Sequence, residues 1–144
     1  MVIFFDGYND IIRLNKGERL SDALRDFTAK NDIPGAWVSG LGGALEVTLG
    51  FYNIESKEYK WRTFTGLYEI TALQGNLAFD ESGKIMFHLH GTFGDDKFNV
   101  IGGHVKDLVA AATVELFVHR TYKPLRRKTD PAVGLQTLDL NADA

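Results

Sequence analysis

The sequence predicts an α+β domain, a mainly antiparallel β-sheet with one main helix near the N-terminus. Three observations point there. A single stretch has helical spacing, a run of alternating segments follows it, and fifteen glycines stand against three prolines, as in a chain with many tight turns.

The elements follow in order. Ile11 to Leu14 reads as a short strand, and Lys16-Gly17-Glu18 turns the chain. From Glu18 to Lys30, Leu20, Ala23, Leu24 and Phe27 fall on one helical stripe, with Asp22, Arg25 and Asp26 on the wet face. Asn31-Asp32 and Pro34 stop that helix. Gly35 to Ser39 is a short apolar strand. Leu45, Val47, Leu49 and Phe51 alternate with Glu46, Thr48, Gly50 and Tyr52, which predicts a strand with one apolar face. Tyr59 to Phe64 and Gly66 to Gln74 read as further strands. Asp80-Glu81-Ser82-Gly83 is a hairpin turn before Ile85 to Phe93. After the Gly94 to Lys97 turn come Phe98 to Ile101 and then Val105 to Ala112, a small apolar stretch expected as a short helix or irregular crossover. Thr113 to Arg120 is the last strand. Beyond Tyr122 no packing period remains, so residues 123–144 read as a tail or surface-hugging extension of a domain spanning 1–122.

Composition narrows the function. The chain has 144 residues, enough for one real core, with an ordinary globular balance of 44% hydrophobic and 24% charged residues. A net charge of −3 argues against a broad basic surface for nucleic acid. The chain has no cysteine, so any metal must be held by His, Asp, Glu or water. The N-terminal apolar run is too short for a signal peptide, and no run approaches the ~20 apolar residues of a membrane span. The expected location is the cytoplasm, with no membrane partner.

The most informative stretch is Phe87-His88-Leu89-His90, followed by Ile101-Gly102-Gly103-His104. Residues i and i+2 of a strand face one side, so His88 and His90 project together while Phe87 and Leu89 pack behind them. The turn at Gly94 to Lys97 brings the next strand back, and His104 with it. Paired histidines on a strand face also occur as hydrogen-bonded core groups. A third one, after a Gly-Gly that permits close backbone approach, favours a metal site. Three imidazoles without a thiolate suit Zn²⁺ with water in the fourth position; Ni²⁺, Fe²⁺ or Cu²⁺ would also be accepted. An open fourth position would allow water activation or Lewis-acid chemistry.

These motifs also carry a family likeness. Val38-Ser39-Gly40-Leu41-Gly42-Gly43-Ala44-Leu45, Gly66-Leu67-Tyr68-Glu69-Ile70, His88-Leu89-His90 and Gly102-Gly103-His104 resemble, in order, the motifs of the PPC (plants and prokaryotes conserved) domain. Leu67 stands where the family has Arg. The early Arg13-Leu14 and Gly17-Glu18 fit as well, and the likeness covers roughly residues 10 to 120. It implies a compact α+β fold, a homotrimer and, in standalone prokaryotic members, a bound metal. In plants the domain follows an AT-hook, an Arg-Gly-Arg-Pro motif for the minor groove. This chain has none, so DNA association is expected to be weak and non-specific.

Other residues also bear on the site. Glu69 is a possible additional site residue, as fourth ligand or base, although an ion pair with an arginine such as Arg62 is the favoured reading. His119 reads as surface or interface. Arg126-Arg127-Lys128 reads as a solvated basic run. The glycines at 40, 42 and 43 lack the Lys-Ser/Thr of a phosphate loop, and no serine sits in a nucleophile elbow. The resulting expectation is a homotrimeric metal-binding or regulatory protein, DNA-associated by family likeness. The alternative is a metal-dependent enzyme using the open position.

Overall fold

The computed structural model describes residues 1–141. In chain order the elements are β1 (Val2–Phe5), β2 (Asn9–Asn15), α1 (Leu20–Lys30), β3 (Ala36–Asn53), β4 (Glu58–Phe79), β5 (Ile85–Gly94), β6 (Val100–Arg120), β7 (Arg127–Asp130) and β8 (Leu135–Leu138). All strand pairings are antiparallel.

Strand β3 pairs with β4 and β6, β4 with β5, and β5 with β6, so these four close a ring. The far half of β6 also pairs with β2, and β2 with β1. Val47, Leu49, Ile70, Leu73, Leu89, Phe93, Val105 and Leu108 are buried in the core. The stripe Leu20, Ala23, Leu24 and Phe27 of α1 is buried with them. The first turn of α1 lacks a side-chain cap of its own. Asp107 supplies one from β6, accepting the Ser21 N–H and hydroxyl at 3.0 Å each and pairing with Arg19 at 3.0 Å. The Asn31 amide closes the other end on the Phe27 carbonyl.

Several segments read separately from sequence are continuous. Gly35–Ser39 and Leu45–Phe51 belong to one strand, β3, and Tyr59–Phe64 and Gly66–Gln74 to β4. Glycines bend these strands without ending them. At Gly42, φ is +135° and an added Cβ would meet the Thr113 carbonyl oxygen at 2.2 Å. The expected helix or crossover at Val105–Ala112 is likewise strand, part of β6. It pairs with β3 along this stretch and with β5 at its start, and burial of small residues on both faces erases the period of two. The single apolar face expected for Leu45, Val47, Leu49 and Phe51 is also split. An irregularity between Ala44 and Glu46 turns Ala44 inward, so that Leu45 is exposed while Val47 and Leu49 are buried. Phe51 lies past Gly50, the last β3 residue paired to β6, and is exposed.

The segment after Tyr122 forms a hairpin, with Arg127 opposite Leu138 and Asp130 opposite Leu135. Four residues per strand are too few to display a period. The hairpin lies across the outer side of the ring: the Tyr52 hydroxyl and Lys57 ammonium donate to the carbonyls of Val133 and Pro131, both at 2.7 Å. Among the described residues, no helix is long and apolar enough to cross a membrane.

Candidate metal centre

Cross-strand partners share a face, and one row of partners runs through the site. Gln74 faces His90, His90 faces His104, His104 faces Gly50, and Gly50 faces Trp61. His88 stands one step along β5, opposite Asn76. The sheet thus brings His88, His90 and His104 together, with ring centroids 5.1, 5.3 and 5.4 Å apart. One ligand atom of each lies within 4.8 Å of the others. The Nε2 atoms of His88 and His90 are 3.2 Å apart. Two ligands of a tetrahedral zinc, each ~2.0–2.1 Å from the ion, would lie roughly 3.3 Å apart, so the residues fit such an ion.

Backbone packing makes this convergence possible. A Cβ on Gly75 would come within 1.9 Å of the His88 carbonyl oxygen, so β4 can press against β5 only with glycine there. A Cβ on Gly50 would strike the Trp61 ring at 2.6 Å. The space that Gly50 leaves lets Trp61 and Tyr59 stack at 4.6 Å and reach His104 at 5.8 and 5.2 Å. Lys106 lies 5.0 Å over the Trp61 ring. These aromatics wall one side of the cluster.

His88 and His104 are half-buried, and His90 is exposed. Burial is the main cause that pushes both His88 and His104 down to about 4, with Arg127 and the neighbouring histidines adding to it. Both rings are therefore neutral at pH 7, as metal ligands must be.

Two residues stand apart from the cluster. Glu69 is exposed and faces Gly43 and Gly94, five residues along β4 from Gln74, which is roughly 17 Å of strand. It stands outside the histidine cluster and is not paired with Arg62, whose guanidinium lies 4.7 Å over the Phe64 ring. No buried partner is needed, because a nearby irregularity, between Ile70 and Ala72, leaves Glu69 facing water. His119 is an exposed partner of Asn9 at 2.6 Å.

The basic run contains a residue that sequence reasoning missed. Arg127 is 5% exposed, not solvated. Its Nη1 donates to the Gln136 carbonyl at 2.7 Å, and its Nη2 to Asn76 Oδ1 at 2.7 Å and His88 Nδ1 at 3.0 Å. Burial lowers its pKa. Among the described residues, the buried Nδ1 of His104 and Nε of Arg127 have no hydrogen-bond partner.

Ring closure, one helix and an outward three-histidine cluster define a small α+β domain with a candidate metal centre on its sheet. The chain belongs to the Plants and Prokaryotes Conserved (PCC) domain family, whose sequence model matches residues 7–121. It is similar to a putative DNA-binding protein from Bacteroides thetaiotaomicron, at TM-score 0.90 and 27% identity over 96% of each chain. A plant- and prokaryote-conserved protein from Pyrococcus horikoshii matches at TM-score 0.83 and 26% identity over 92% of each. A metal-containing protein from Archaeoglobus fulgidus matches at TM-score 0.83 and 26% identity, over 96% of this chain and 99% of that one. No curated protein matches the sequence.

Proposed function

We propose that this chain binds one divalent ion, zinc-like in its preference, on His88, His90 and His104, and works as a homotrimeric binding or regulatory protein. The observation that carries the reading is the convergence of three imidazoles within 4.8 Å in a chain without cysteine. The metal-containing archaeal relative supports it. The proposal includes a cytoplasmic location and, by likeness to the putative DNA-binding relative, DNA association that is weak and non-specific at a net charge of −3.

A second reading, a metal-dependent enzyme, is favoured by one observation. His90 lines an open cleft of about 330 Å³ with Gln74, Thr92 and Gly102, where a small ligand could reach an ion's fourth position.

Metal analysis of protein purified without a histidine tag tests the common core of both. About one ion per chain is expected, lost in His88→Ala and in His104→Ala. Full metal content in both variants overturns the assignment.

A further inference from the structure

We propose that Arg127 and the metal ion compete for the three-histidine centre, so that loading drives the guanidinium, and the C-terminal hairpin that carries it, off His88. This rests on the metal reading above and adds a control to it.

A guanidinium has five N–H donors and no acceptor. Arg127 Nη2, 3.0 Å from His88 Nδ1, therefore donates to a lone pair on that nitrogen. A neutral imidazole has one ring proton, so it resides on Nε2. That is the atom 3.2 Å from His90 Nε2. With Arg127 docked, this side of the cluster is an N–H···N hydrogen bond. An ion bound there needs the Nε2 lone pair, and a ligating histidine ordinarily donates its other N–H to an acceptor. Arg127 imposes the opposite arrangement.

Charge acts in the same direction. The three hydrogen-bond partners of Arg127 are two amide oxygens and an imidazole nitrogen, with no carboxylate among them. A dication on three neutral imidazoles would sit beside a buried, uncompensated cation. The docked guanidinium is itself incompletely satisfied, its Nε being buried without a partner. Displacing the hairpin would break no ladder of the six-stranded sheet. The hairpin's strands pair only with each other, in a sheet separate from the six-stranded one. Besides Arg127, it is held by the Tyr52 and Lys57 contacts, a longer contact from Thr129 to Glu81, and a bridge between Arg126 and Phe79.

The test uses the full chain and Zn²⁺. Arg127→Met keeps bulk and removes both charge and donors. It should bind Zn²⁺ about 10- to 100-fold more tightly than the parent in chelator competition, the scale on which groups behind metal ligands act. In the unaltered protein, Zn²⁺ should accelerate amide hydrogen exchange across residues 127–138. This second readout needs no variant, so it stands if Arg127→Met folds poorly. Equal or weaker Zn²⁺ binding by a folded Arg127→Met, or hairpin exchange that Zn²⁺ leaves unchanged or slows, overturns the competition while leaving the metal site intact. Failure of both proteins to take up Zn²⁺ defeats the metal reading, and this inference with it.

Discussion

Gly75 lies so close to His88 that any side chain at position 75 would overlap the histidine's carbonyl oxygen. Strand β4 thus sets the position of its neighbour in the sheet, the histidine strand β5.

Gly75→Ala should therefore destabilise the fold by about 1–3 kcal/mol or more, since the obstacle is backbone and overpacking there has no flexible neighbour to absorb it. The denaturant midpoint should fall with an unchanged slope. Metal content should fall too, because His88 must shift. Wild-type stability in Gly75→Ala would show that β4 and β5 are not in this register.

The two half-buried histidines make stability depend on pH. Their folded-state values of about 4 lie below the ordinary 6.5, so between those limits the unfolded chain holds more protons than the folded one. Stability then rises with pH across that window and is lost as pH falls from 6.5 towards 4. With screening of half-buried rings, the pair should contribute about 1–3 kcal/mol. Urea melts with a chelator present should show this slope, and His88→Asn/His104→Asn should flatten it. An equal slope in the double variant would count against the burial of these rings.

Asp107 caps a helix that has no side-chain cap of its own. Asp107→Ala frees the Ser21 N–H, leaves Arg19 paired with Glu46 alone, and should cost about 1–2 kcal/mol. Thermal melts followed by far-ultraviolet dichroism check it. A change under ~0.3 kcal/mol would mean that solvent caps the helix equally well.

One face of the sheet predicts assembly. Phe4, Ile11 and Phe117 are exposed cross-strand partners, and the row continues through Ser39 and Gln74 to His90. Trp37 is exposed beside it. A row of this kind is expected to be covered by further copies of the chain. Light scattering should give about three times the 16.0 kDa chain mass, and Phe117→Asp should lower it. A monomer at micromolar concentration would refute the assembly, and a dimer would refute the count.

Much of this was legible in the sequence, and the rest was hidden for physical reasons. The helical stripe from Leu20 to Phe27 and the strand pair His88/His90 are local patterns with a fixed period, so they survive without knowledge of the fold. His104 needed only one turn. Arg127 had no such signal. Its contacts reach 39 and 51 residues back along the chain, and its strand is four residues long. Three adjacent basic residues look alike in sequence, yet only the middle one, on the inward side of a short strand, is buried. Val105 to Ala112 misled for a different reason: two irregularities in its pairing with β3 and the adjacent buried Ala110 and Ala111 break the polar alternation that marks a half-exposed strand.

The pairing of Asn9 with His119, 110 residues apart, also sets a timetable for synthesis. Strand β2 emerges early from the ribosome with β1, but its other neighbour, β6, is the last long strand made. Until then Ile12 and Leu14, fully buried at the end, have no lasting cover. Contacts so distant in sequence fold slowly, and nascent chains of this kind depend on protection from aggregation while they wait. The three histidines are subject to the same clock. His88 and His90 are translated before His104, so the cluster cannot close until β6 joins the sheet.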